Sequence, residues 1–236
     1  MCQNKQLLRL DLILHTPGGN IAATESIVEY LKAMFNNDIR AIIPQIAMSA
    51  GTMIALSAKE IIMGKQSNLG PIDPQYYGYS CAGVIDEFKT ALKDIQNNPE
   101  SIQLWQLIIG KYHPTLLGDC QNAVKWAETM ATKWLGENMF KNVSGNIRII
   151  EKIVQFLSSH SKTYSHEKHI HIGDLKNLGM KITALEDSEK HRLNGCEDFQ
   201  DCVLTLHHAY MHTLANTKAL KIVENQDGVA VFLNLT

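Results

Sequence analysis

Positive charge is in short supply in this chain: 22 Lys and Arg stand against 24 Asp and Glu in 236 residues, a formal net charge of −2. With no basic field to hold a phosphate backbone, nucleic acid is not an expected partner. Long apolar runs are missing too. No stretch reaches the ~20 residues of a membrane span, and the opening MCQNKQLLRL has too short an apolar segment for a signal peptide. The five cysteines (Cys2, Cys81, Cys120, Cys196, Cys202) are scattered and contain no CxxC pair. That argues against a zinc or redox centre and reads as reduced thiols in a cytoplasmic protein. Histidine is absent between His15 and His113, which narrows the choice of a catalytic base.

What is present suffices for a sizeable core, since 45% of the residues are hydrophobic. Leu8 to Leu14 reads as a buried strand that ends in the turn HTPGG, and Asn20 to Phe35 carries apolar residues at helical spacing. Arg40 to Ile46 reads as a second strand, Met48 to Ala58 as a buried helix without charge, and Ile61 to Met63 as a third strand. Strand, helix, strand, helix, strand predicts an α/β unit with a parallel sheet and right-handed crossovers. A turn-rich stretch, Gly64 to Gly78, follows. Helices are then expected over Val84–Ile95, Ser101–Ile109 and Asn122–Leu135, a short one over Gly173–Leu178, a last strand over Lys181–Leu185, and a terminal helix and small hairpin.

Three short segments in this order could carry chemistry: Thr16-Pro17-Gly18-Gly19, Met48-Ser49-Ala50-Gly51, and Leu69-Gly70-Pro71-Ile72-Asp73-Pro74. A Gly-Gly turn after a parallel strand brings bare backbone N–H groups near a ligand, as an oxyanion requires. Ser49 at a strand-to-helix junction is either a plain N-cap or a hydroxyl presented at the ligand-binding edge of the sheet. Asp73 reads as a turn residue rather than a triad acid, and His15, just before the turn, as a packing or supporting residue rather than a base.

The order HTPGGN, helix, strand, MSAGTMIALSA resembles the ClpP-type peptidases and signal peptide peptidase A. The phrases SNLGPIDPQ, KYHPTLLGDCQNAVKWAE and YSHEKHIHIGDLKNLGMKI narrow the resemblance to the serine dehydrogenase proteinase family, over roughly Asp11 to Leu185. This resemblance implies a ClpP/crotonase-like fold of superhelical βαβ units with a helical C-terminal region, and a peptidase domain over 1–185 followed by an extension over 186–236. It also implies an N-terminally incomplete sheet, because relatives carry another strand-helix-strand section upstream of the PGG turn.

The site it implies has Ser49 as nucleophile, with an oxyanion hole built from Gly19, with or without Gly18, and Ala50. The base is open. With no histidine in the ClpP position, a lysine as in signal peptide peptidase A is expected, and Lys111 is preferred over Lys89, with Lys93 and Lys125 in the same part of the chain. A neutral lysine needs a dry pocket, which assembly into a homo-oligomer would supply. His166 is expected to approach the site and assist the base, whereas His169 and His171 read as surface residues with no metal centre. The expected reaction is hydrolysis of a peptide or unfolded protein without a cofactor, and no pyridoxal phosphate lysine motif is present. The rivals are a catalytically inactive scaffold of the same fold and a crotonase-type acyl-CoA enzyme.

Overall fold

The computed structural model describes residues 9–159, 163, 165–187 and 198–235. Leu8, Cys2, Cys196 and parts of the expected connector and tail lie outside them. The chain forms two compact units, Met1–Ala184 and Leu185–Thr236.

In the first unit, β1 (Leu10–Ile13) leads to α1 (Ile21–Phe35) and back to β2 (Ile39–Ile43). Asn20 caps α1, its side chain accepting from Ala23 N, and Asn36 ends it in a left-handed conformation at φ 47°. β4 (Glu60–Met63) and β9 (Ile182–Ala184) complete a parallel sheet of order β1-β2-β4-β9. All five residues of β2 are buried, as a central parallel strand covered on both faces demands. That includes Arg40. It lies opposite Asp11 of β1, and its Nε and Nη2 donate to the two carboxylate oxygens at 2.7 and 2.6 Å.

The strand expected over Arg40–Ile46 is in fact two. Pro44 lacks the N–H that would continue the ladder, so the chain leaves the main sheet there and resumes as β3 (Ile46–Ala47). This strand joins a second, three-stranded sheet with β5 (Asn68–Leu69) and β8 (Ile170–His171). Between β3 and β4 lies α2 (Ala50–Leu56), buried through Gly51, Thr52, Met53, Ala55 and Leu56. The turn-rich segment also holds a tight hairpin of β6 (Gln75–Tyr76) and β7 (Tyr79–Ser80), with Tyr77 and Gly78 both at positive φ.

Four helices follow: α3 (Cys81–Asn97), α4 (Ile102–Ile109), α5 (Leu116–Glu137) and α6 (Asn146–Ser158). The last has no counterpart among the sequence expectations. Its buried residues Ile150, Ile153, Val154 and Leu157 fall at i, i+3, i+4 and i+7, so it presents one apolar stripe. Trp134, Leu135, Met139 and Phe140 share a core cluster with that stripe and with Ile61 and Met63 of the sheet. The short α7 (Ile172–Asn177) connects β8 to β9.

The second unit contains α8 (Phe199–Asn216) and an antiparallel hairpin of β10 (Ala219–Glu224) and β11 (Ala230–Asn234). Cys202 on α8 is disulfide-bonded, which corrects the expectation of reduced thiols throughout; Cys81 and Cys120 are free and buried. Among the described residues no helix is long and apolar enough to cross a membrane.

Candidate active site

The small sheet gathers three distant parts of the sequence at one edge. Ala47, Leu69 and Ile170 are aligned as neighbours in β3, β5 and β8, with β3 parallel and β8 antiparallel to β5. Residues that follow Ala47, residues that follow Leu69 and residues that precede Ile170 therefore leave the sheet in the same direction. Ser49, Asp73 and His166 all do so. Two strand spacings separate β3 from β8, about 10 Å, a span that loops of two to four residues can close.

Ser49 occupies the bend between β3 and α2 at φ 49°, ψ −112°, and its side chain makes no capping hydrogen bond. The N-cap reading therefore falls away. A non-glycine residue held in so sparsely populated a conformation stores strain of order 1–3 kcal/mol, and strained strand-to-helix bends are known to present nucleophilic serines. The bend is held from two sides. Thr52 Oγ1 lies 2.8 Å from Ala47 O and 2.9 Å from Gly70 O, and accepts from Gly70 N at 2.9 Å. A Cβ on Gly51 would lie 2.4 Å from Thr16 Cγ2, and one on Gly70 2.6 Å from Met48 Cε. The short Thr16 side chain leaves no room for a Cβ at Gly51, whereas at Gly70 the flexible end of Met48 would have to move.

The PGG turn lies directly against the serine. Thr16 N donates to Ile46 O at 3.1 Å and Met48 N to Thr16 O at 3.0 Å, stitching the turn to β3. Gly18 has φ +127°, and a Cβ there would approach Ser49 Cβ to 3.0 Å and Ser49 Oγ to 3.5 Å. The Gly18 amide donates to Thr16 Oγ1 at 3.1 Å, so it is engaged within the turn. Gly19 faces Ala50, whose Cβ would lie 4.0 Å from a Cβ on Gly19. Among the described residues neither the Gly19 nor the Ala50 amide has a hydrogen-bond acceptor, and Ala50 opens α2, where a helix leaves its N–H groups unpaired. Two bare donors thus flank the serine.

Asp73 is more than a turn residue. Its side chain is fully buried, and it accepts from Ser80 Oγ through Oδ2 at 2.8 Å while Oδ1 lies 2.7 Å from His166 Nδ1. A buried carboxylate with two partners holds the imidazole orientation. With Nδ1 donating to the carboxylate, Nε2 carries the lone pair. His166 itself is about a quarter exposed. No hydrogen bond joins it to Ser49 Oγ among the described residues, a looseness common when no substrate is bound.

The lysines stand elsewhere. Lys111 is exposed beyond α4, beside a hollow lined by Tyr77, Tyr79 and Tyr112. Lys89 is exposed and paired with Asp86 at 3.1 Å, and Lys93 and Lys125 are exposed. None of the four is buried. His15 is partly buried, and burial lowers its pKa below the ordinary 6.5. His169 and His171 are exposed. Sequence reasoning weighed Asp73 as a triad acid and preferred a turn residue, because a turn aspartate and a buried, bonded one are written alike in GPIDP.

The chain belongs to the family of ClpP-like SDH-type serine proteinases, which it matches over residues 4–195. It is similar to two proteins of Methanocaldococcus jannaschii. One, uncharacterized protein MJ1495, is 32% identical over 175 residues, covering 74% of this chain and 52% of the relative. The other, uncharacterized protein MJ0137, is 46% identical over 76 residues, covering 32% of this chain and 26% of the relative. The chain thus spans about half or less of the length of these relatives. No solved structure matches it.

Proposed function

We propose that this protein is a serine peptidase in which Ser49 is the nucleophile, His166 the general base and Asp73 the group that orients it. The 2.7 Å contact between His166 Nδ1 and the fully buried Asp73 carries this reading, since it leaves Nε2 to take a proton at the edge where Ser49 lies. In the first step the Ser49 hydroxyl proton passes to His166 Nε2 as Oγ bonds to the peptide carbonyl carbon. The oxygen that becomes negative is met by the Gly19 and Ala50 amides. Collapse breaks the C–N bond, the proton moves from Nε2 to the departing amine, and water repeats the sequence on the acyl-enzyme. Gly18 supplies room rather than a donor. Lys111 is not needed for any of these steps.

A fluorophosphonate probe tests the assignment. Wild type is expected to be labelled, Ser49→Ala not at all, and Asp73→Asn and His166→Ala about 10³-fold more slowly or worse. Lys111→Met that abolishes labelling in a folded protein would return the base to the lysine. A folded wild type that takes no label would make the chain a binding scaffold.

A further inference from the structure

The β6–β7 hairpin begins two residues after Asp73, and its Ser80 holds that carboxylate. Tyr77 and Tyr79 of the hairpin meet the end of α4 and the start of α5. There a hollow of about 350 Å³ is lined by Tyr77, Tyr79, Ile108, Lys111, Tyr112 and Leu116. The helix beside it is unusual. Six of the eight residues of α4 (IQLWQLII) are apolar, none is buried, and Leu104 and Leu107 are 59% and 71% exposed. The Trp105 indole N–H donates to Asp94 at 3.1 Å, which fixes the helix against α3 with this apolar surface outward.

Lys111 is the one lysine or arginine among the residues that line the hollow. Lys111 has no ion-pair partner among the described residues. The Glu87 carboxylate keeps its charge while accepting from the Tyr112 hydroxyl and makes no ion pair with Lys111, and His113 Nδ1 lies 3.1 Å from Thr115 Oγ1. An ammonium without an ion pair, set among aromatic walls, suits a carboxylate whose neighbour is an aromatic or large aliphatic side chain. We propose that this hollow is a substrate-docking site that selects unfolded polypeptide segments in which an aromatic side chain adjoins a carboxylate. The proposal takes its biological sense from the peptidase reading above. The hairpin links the two places, since a segment seated against Tyr77 and Tyr79 lies on the strand pair that carries the Ser80 contact to Asp73.

The test measures binding of fluorescein-labelled peptides to full-length Ser49→Ala protein by anisotropy. A Ser-Gly host carries Phe-Phe-Glu with an amidated end, Phe-Phe-Gln amidated, Phe-Phe-Gln ending in a free carboxylate, or Ala-Ala-Glu amidated. Phe-Phe-Glu is expected to bind about tenfold tighter than amidated Phe-Phe-Gln, and Ala-Ala-Glu at least tenfold more weakly. The free-carboxylate peptide tells a chain terminus from an acidic side chain as the group recognised. A second substitution, Lys111→Met, is expected to erase the Glu-over-Gln preference while keeping that for Phe, and Tyr79→Ala to weaken every Phe peptide. Equal affinity for Glu and Gln peptides, or a preference that survives in folded Lys111→Met, overturns the proposal. So does light scattering that shows α4 covered by a second copy with no peptide bound. Hydrolysis by wild type is read separately: selective binding without hydrolysis refutes the peptidase reading alone, and hydrolysis without selectivity refutes the hollow alone.

Discussion

Gly18→Ala puts the most direct load on the geometry around Ser49. At φ +127° an alanine is strained wherever its side chain points, at a cost of about 1–3 kcal/mol. The added Cβ would also sit 3.0 Å from Ser49 Cβ and 3.3 Å from Met48 O, against ordinary carbon contacts of roughly 3.5–4.0 Å. Relief requires a shift of about 0.5 Å, adding about 1–3 kcal/mol of overpacking. The expected loss is thus about 2–6 kcal/mol in urea unfolding. Because the group that must yield is the serine, fluorophosphonate labelling of the remaining folded protein should also slow by up to ~10²-fold, the usual consequence of misplacing a reacting group by an ångström. Gly19→Ala is the control for stability: its nearest neighbour is Ala50 Cβ at 4.0 Å, an ordinary contact, and it should change stability by less than about 1 kcal/mol. Gly18→Ala with wild-type stability and labelling rate would refute the close approach of the turn to the serine.

Asp11→Ala should destabilise the protein by about 3–5 kcal/mol, because it strips Arg40, 4% exposed, of both carboxylate bonds inside the sheet; a urea midpoint shift worth under 1 kcal/mol would show that Arg40 finds another partner. Burial lowers the pKa of His15 below 6.5, so the unfolded chain binds a proton that the folded one refuses. Stability from this group is full above pH 6.5 and is lost as pH falls below it, and His15→Gln should flatten that part of the slope between pH 7.5 and pH 5; an unchanged slope would assign it to other groups. Burial and a hydrogen bond with Cys120 push the pKa of the free Cys81 thiol up to about 12, so mass mapping after iodoacetamide at pH 8 should find both cysteines unmodified until the protein is denatured.

The main sheet is legible in the sequence because its strands are short apolar runs bounded by turns, and α1 because its apolar residues keep helical spacing between two Asn caps. Where expectation and structure part, one local rule has been outweighed by another. In RAIIPQI the apolar run suggests one strand, yet the missing N–H of Pro44 divides it and sends Ile46 and Ala47 to a different sheet. That division matters, since a strand running straight on would have kept Ser49 at the end of the main sheet. The α6 stripe carries as clear a helical period as α1 and was open to the same reasoning.

The site divides along the same line. Ser49, Gly18, Gly19 and Ala50 lie in contiguous motifs, and the turn-to-bend contact follows from two strand ends meeting at Thr16 and Ala47. The partner of Asp73 follows from nothing local. His166 is 93 residues away, and what aligns it is the antiparallel pairing of two-residue strands, Asn68 with His171 and Leu69 with Ile170. Strands that short have no period to detect, and a lysine on an amphipathic helix looks the same in sequence whether its amine is dry or, like Lys111, in water. A buried carboxylate is what distinguishes a positioned histidine from a surface one. In a cluster such as SHEKHIH, the family resemblance sets His166 apart from His169 and His171, and what the structure adds is its contact with the buried Asp73.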